Sequence, residues 1–333
     1  MNKSMGIFEK ENHINFFLLA GSKSNLATLD FSHLNIRILA LNSDEFDSIL
    51  KDSSFEEDWY PRNRELLFAD IKKDLIEDYM IESLYVLMPI DLSVIVETKY
   101  YYECWTILLI MFPSVLSIYA DFMYQIFDNR YLWQIGSTQY RFYQKNQFED
   151  YLHFEESNIT SINKFIVLYF SRISNLKYVK SAIDSYKLSF HSNLYSMSYI
   201  SLCICLETLV EGSIELSYRI KRTVAVLCSK NENIGLIIFK NIDNIYKLRS
   251  KIVHGAEVNS NKIDEYRPYL RMIVSKIIVE LIIHNISTLI DLNYKITSIG
   301  FGDRQKLSTA YSSLVLSTIM DEVIDTKKLS AIK

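Results

Sequence analysis

The stretch NENIGLIIFKNIDNIYKLRSKIVHG, Asn231 to Gly255, decides how the back half of this chain folds. Its apolar residues recur at helical intervals from Asn231 to Val253, and Gly255 suits the left-handed turn that closes a helix. The last seven residues carry the chemistry. Arg249 and His254 are five positions apart. Arginine holds phosphate with a planar, permanently charged fork, and histidine exchanges protons near neutral pH. Cleaving RNA with its own 2′-hydroxyl needs a base, an acid and a cation facing the phosphorus, and this pair supplies those types without a metal. Five positions at about 100° each put the two side chains about 140° apart on a straight helix. Either the helix end loosens, or the pair converges with another helix or another chain. A dimer brings two such pairs together.

Outward from this helix the back half reads as a series of amphipathic helices. Ser161 suits the cap of a helix over 162–168. A second covers Leu176 to Phe190, with Val179, Ile183 and Tyr186 on one face. A third covers Leu194 to Ser213, with Ile200, Leu202, Ile204 and Leu206 assigned to its core. Glu215 to Leu227 continues or restarts it after Gly212. Beyond Gly255, Tyr266 to Ile290 reads as a helix with Pro268 in its first turn, and Gln305 to Val323 as a last one. The front half is mixed. His13 to Ala20, Leu34 to Leu41 and Ser83 to Pro89 read as strands. Asp44 to Asp58 reads as a loop or surface helix. Arg64 to Ile81 shows helical spacing, and Thr98 to Phe127 reads as one long helical region kinked at Pro113.

The expected fold class is therefore α+β, mainly α. A mixed α/β domain over residues 1–150 precedes an all-α domain over 160–333, with the boundary in the polar stretch 144–163. Charge follows the same division. Residues 1–150 hold 13 Lys and Arg against 23 Asp and Glu, net −10. Residues 151–333 hold 23 against 17, net +6, which makes the back half the candidate for a polyanionic partner. Eight Gly and four Pro in 333 residues leave little room for long linkers. Cys104, Cys203, Cys205 and Cys228 form no CxxC pair and no zinc-spaced cluster, so they read as reduced, buried cysteines of a cytoplasmic protein. The uncharged run from Cys104 to Ala120 has 17 residues and contains Pro113. A membrane span needs about 20 apolar residues, so it reads as a buried core helix. The first 20 residues do not read as a signal peptide, and no P-loop, GxSxG or dinucleotide fingerprint is present.

The order of segments is more specific than the Arg/His spacing. Leu206-Glu207 lies on an apolar helix, followed by Glu215-Leu-Ser-Tyr-Arg219-Ile. Then comes Ile245-Tyr246-Lys-Leu-Arg249-Ser250-Lys-Ile-Val-His254-Gly255. Over roughly residues 170–292 this resembles the HEPN superfamily, specifically its ApeA-like branch. The resemblance implies a helical bundle that forms a homodimer, with two Arg/His motifs facing each other in a cleft. It implies a metal-independent endoribonuclease without cofactor, of the kind found in toxin–antitoxin, CRISPR-linked and anti-phage systems. Such enzymes leave a 2′,3′-cyclic phosphate and a 5′-hydroxyl. Carried onto this chain, Arg249 binds and polarises the phosphate and His254 transfers the proton. Ser250 takes the place of the polar residue that often follows the arginine. The implied partners are RNA (tRNA among the candidate targets) and a phage-derived trigger or an antitoxin. The acidic front domain is then a candidate sensor or regulator.

Supporting candidates follow from their positions. Glu207 or Glu215 can orient the motif arginine, or stand with Glu211 and Arg219 as a ladder spaced by four on one helical stripe. Arg219, Lys221 and Arg222 form the densest basic cluster. Lys247 and Lys251 flank the motif, so all five are candidate phosphate contacts. Tyr246 can stack a base or fill the core. His13, His33, His153, His191 and His284 have no acidic or cysteine partner at ligand spacing and read as structural or surface residues. The rival reading is a non-catalytic HEPN-like interaction module for a protein or nucleotide, in which Arg249 and His254 are structural.

Overall fold

A computed structural model describes residues 13–53, 84–127, 131–139, 150–192, 194–210, 215–308, 314–325 and 329. The helix expected over 64–81 and the positions of Glu211 and Gly212 lie outside the described residues. The chain divides into two compact units. One comprises residues 1–105, 116–142 and 151–153, and the other 106–115, 143–150 and 154–333. A cut at a single point in the sequence does not reproduce this, because residues 106–115 belong with the helices.

The first unit is built on a five-stranded antiparallel sheet in the order β2-β3-β1-β4-β5. The strands are β1 (His13–Ala20), β2 (Ile36–Ala40), β3 (Leu84–Pro89), β4 (Ser117–Phe127) and β5 (Tyr131–Gln139). Every residue of β3 is buried, which is why its sequence reads as an unbroken apolar run rather than an alternation. One face of β1 places Ile14, Phe16 and Leu18 in a core with Val86, Phe122 and Tyr124. Helix α1 (Asp44–Asp52) covers that core with Phe46 and Leu50, and its N-terminus is capped by Ser43, whose Oγ accepts the Phe46 N–H at 3.2 Å. On the other face Phe17 stacks on Tyr101 of α2 (Thr98–Met111), ring centroids 4.6 Å apart.

The long helical region expected over 98–127 is corrected here. The helix stops at Met111, two residues before Pro113, and the chain then enters strand β4. Proline disfavours helical geometry in the residue before it. Beyond it, buried Ala120, Phe122 and Tyr124 alternate with the less buried Asp121, Met123 and Gln125, which is a strand period. The run Cys104 to Ala120 is thus buried, but as half a helix and the start of a strand. Strand β5 carried no expectation at all.

The second unit is helical: α3 (Ile159–Arg172), α4 (Lys177–His191), α5 (Tyr195–Thr208), α6 (Leu216–Cys228), α7 (Glu232–Val253), α8 (Ser260–His284), α9 (Leu289–Ser298) and α10 (Val315–Asp325). Helix α4 pairs with α5 and α6 with α7, and α4, α5 and α6 pack against α8. From Tyr269 to His284 nearly every residue of α8 is buried, so it is the axis of the unit. The last-turn carbonyls of α2 are satisfied within this unit. Leu109 O accepts from Tyr186 Oη at 2.8 Å, and Ile110 O from Ser275 Oγ.

The helices of this unit differ from the sequence reading in several details. Helix α3 starts at Ile159, which puts Ser161 inside its first turn. Helix α8 starts at Ser260, capped by Asn259, so Pro268 stands in its interior. Proline there removes a hydrogen bond and costs about 3 kcal/mol, and the burial of α8 on all sides outweighs that cost. In α5, Leu202 and Leu206 are buried, whereas Ile204 is 43% exposed. Residues two apart cannot share a helical face, so the expected four-residue core was half right in geometry. The expected last helix splits into a short 3-10 turn, Arg304–Leu307, and α10.

Gly235 of α7 admits the segment that follows α9. A Cβ built there would stand 2.4 Å from Phe301 Cβ and 2.6 Å from its Cγ. Gly235→Ala is therefore expected to lower stability despite a helix-propensity gain of about 1 kcal/mol, since overpacking costs about 1–3 kcal/mol. The urea midpoint followed by far-UV circular dichroism checks this. An unchanged or raised midpoint would show that Phe301 yields freely.

Candidate active site

Helix α7 is regular from Glu232 to Val253, capped at its start by Asn231, whose Oδ1 accepts the Ile234 N–H at 3.0 Å. It ends as the sequence suggests. Gly255 has φ +70°, its N–H bonds to Ile252 O at 3.2 Å, and the Ala256 N–H bonds to Lys251 O at 3.0 Å. This pair of bonds is the Schellman closure. His254 is the C-cap and is exposed. Because the helix stays regular up to Val253, loosening of its end is not what joins Arg249 to His254. The two side chains leave α7 in directions about 140° apart.

Arg249 turns toward α5. Its Nε lies 3.0 Å from Glu207 Oε1 as an ion-pair contact, and one terminal nitrogen donates a hydrogen bond to Oε2 at 3.3 Å. The side chains are 31% and 22% exposed, so the pair is partly screened from water yet open on one side. Tyr246, one turn earlier, donates its Oη to Cys203 O on α5 at 3.4 Å. Burial pushes its phenol well above the ordinary range. That contact ties α7 to α5 and places Tyr246 in packing rather than on an open stacking surface. Ser250 is exposed on the side of α7 nearer His254.

The other candidates separate. Glu215 is not on a helical stripe with Glu207. Helix α5 ends at Thr208, and Glu215 is the left-handed residue, φ +56°, that precedes α6. The expected four-residue ladder on one helix is therefore replaced by two helices. Lys221 Nζ and Lys247 Nζ both contact Asp243, at 2.7 and 2.8 Å, and together hold its carboxyl below the usual range. Arg222 donates to Ile296 O at 3.1 Å and Ile299 O at 3.0 Å, capping the end of α9. That engages one of its two terminal nitrogens. Arg219 is half-buried on α6, and Lys251 is exposed beside the motif.

Sequence reasoning missed a buried cluster of charges among the described residues of the second unit. Lys276 and Glu280 of α8 are fully buried and 2.7 Å apart, and Lys276 reaches Asp321 of α10 at 3.0 Å. Arg304 pairs with the same Asp321, and His284 Nε2 lies 3.5 Å from Glu280 Oε2. His284 thus has the acidic partner that the sequence reading denied it. The signal was present as Lys276, Glu280 and His284 at four-residue spacing in an apolar helix.

All four cysteines are buried and unpaired. Among the described residues no three His, Cys, Asp or Glu side chains gather as a metal would need, and no single helix is long and apolar enough to cross a membrane. Searches against protein-family models, curated proteins and solved structures found no match to this chain.

Proposed function

We propose that the helical unit is a HEPN-type, metal-independent endoribonuclease acting as a homodimer in the cytoplasm. The observation that carries this is the end of α7. A guanidinium is steered by a carboxylate and left partly open, and an exposed histidine caps the same helix. In the proposed reaction Arg249 binds the scissile phosphate and offsets the charge that grows on it. His254 exchanges the proton of the 2′-hydroxyl or of the leaving 5′-oxygen. Attack of the 2′-oxygen on phosphorus breaks the P–O5′ bond, leaving a 2′,3′-cyclic phosphate and a 5′-hydroxyl. Glu207 positions Arg249 from α5. A role in anti-phage defence or as the toxin of a toxin–antitoxin pair, with a phage-derived trigger or antitoxin as regulator and the acidic first unit as sensor, belongs to the same proposal.

The test is incubation of the full chain with total RNA or tRNA in EDTA, with end-group mapping of the fragments. Cyclic phosphate ends support the proposal. Linear 3′-hydroxyl ends, or cleavage that EDTA abolishes, contradict it.

One observation favours the rival, a non-catalytic interaction module. The Glu207–Arg249 ion pair is also a strut between α5 and α7. Glu207→Gln separates the readings. It keeps one acceptor and removes the charge, so a strut loses stability, about 1 kcal/mol for a partly exposed pair. In the enzyme the same variant is expected also to lower kcat by about tenfold, through a misplaced arginine. Parallel thermal melts and cleavage rates read both effects.

A further inference from the structure

Tyr218 on α6 is 51% exposed. Its ring stands edge-on to Phe239 of α7, centroids 6.0 Å apart at 71°. Phe239 is itself held. Phe301 lies 6.2 Å away on one side, and the Lys221 ammonium sits 5.1 Å over its ring while bonded to Asp243. An exposed aromatic ring braced by a packed one gives up little side-chain freedom when another flat group stacks on it.

The platform also stands at one end of a charged line. Lys240, Asp243, Lys247 and Lys251 follow one another along α7 at helical spacing and lead to His254. Lys240, Lys247 and Lys251 are exposed. With Lys221, four lysines stand on this line against Asp243. From Phe239 to His254 the helix rises about 22 Å. That length spans about six nucleotides at the stacked spacing of 3.4 Å, and fewer in an extended strand. A polyanion with flat, accessible faces at that repeat is an unpaired RNA strand. A duplex hides those faces in its own stack.

We propose that Tyr218, braced by Phe239, stacks an unpaired base of the RNA several nucleotides from the scissile linkage at His254, while Lys240, Lys247 and Lys251 follow the intervening backbone. This rests on the ribonuclease reading and adds to it a requirement for single-stranded substrate. It also explains the placement of an exposed tyrosine against Phe239, which the cleavage chemistry itself does not use.

The experiment measures binding of a fluorescent single-stranded RNA dodecamer to full-length His254→Ala at fixed salt, by anisotropy. Adding Tyr218→Ala is expected to weaken binding about tenfold, the usual effect of losing one stacked base. Tyr218→Trp is expected to retain affinity, and Tyr218→Leu, which keeps apolar bulk without a flat ring, to behave like alanine. Equal affinity for Tyr218→Ala, or leucine matching tryptophan, overturns the platform, as does an absence of RNA binding by the His254→Ala parent. The two proposals fail separately. Cleavage by the wild type with Tyr218-independent binding removes the platform alone. Tyr218-dependent binding without cleavage removes the nuclease alone.

Discussion

Replacing His254 with alanine is expected to slow RNA cleavage by about 10²–10⁴-fold, the range for losing a general acid or base. His254 is exposed at the C-cap of α7, and the Gly255 closure uses backbone groups only, so the helix end should survive the change. The Arg249→Lys variant is expected to cost about 10²–10³-fold. It retains a positive charge opposite Glu207 but loses the planar fork, so activity should fall much further than stability. The pair therefore predicts a specific pattern: two folded proteins, both nearly inactive, with end groups unchanged in whatever cleavage remains. Near-normal rates in either folded variant would remove that residue from the reaction.

The geometry adds a sharper form of the test. Arg249 and His254 leave a regular helix about 140° apart. If a working site takes arginine from one protomer and histidine from its partner, then mixing His254→Ala with Arg249→Ala should restore activity. Random exchange makes half the dimers mixed, and each mixed dimer carries one intact composite site of two. Recovery of about a quarter of wild-type activity is the expectation for such a two-fold assembly. No recovery after verified subunit exchange would place both residues of a site on the same chain.

Local pattern revealed the ends of α7 well and the path of the chain near Pro113 poorly, for physical reasons. The stretch 231–255 has helical periodicity, an asparagine that caps and a glycine that takes φ +70°, all agreeing with the tertiary structure. Strand β4 follows a helix of similar apolarity, and both are buried, so composition alone did not separate them. Its alternation over 120–125 was the usable signal. Strand β5 is held by its register with β4, Ala120 opposite Gln139 through Phe127 opposite Tyr131, which is long-range information. At the site, the sequence offered Glu207 or Glu215 as a partner for Arg249, and the structure joins Glu207 to it. It also named Lys221 and Arg222 as phosphate contacts, but their engagement with Asp243 and with the end of α9 depends on how helices pack. The buried charges of α8 escaped notice because burial of a lysine and a glutamate is costly without partners, and those partners lie on α10 and before it.

The Glu280→Gln variant is expected to lose about 3–5 kcal/mol of stability, the largest effect of any single change considered. Lys276 and Glu280 are both 0% exposed, and Arg304 and Asp321 complete a buried set of two cations and two anions. Removing one anion leaves two buried cations facing Asp321 alone, where water cannot compensate them. Burial by itself would raise the Glu280 pKa, yet Lys276, the His284 hydrogen bond and Arg304 together hold it down to about 2. A carboxylate depressed in the folded state contributes stability that is fully present above its unfolded pKa of about 4.5. That contribution fades as pH falls from there toward about 2. Urea midpoints of the wild type should therefore drop across that window, and those of Glu280→Gln should drop less. The double variant Lys276→Met with Glu280→Leu removes one charge of each sign and is expected to recover much of the loss, because apolar residues of similar volume can replace a buried ion pair. A loss under about 1 kcal/mol for Glu280→Gln would mean that the cluster is hydrated in solution. In that case α10 would be held to α8 by its apolar residues Leu316, Met320 and Ile324 instead.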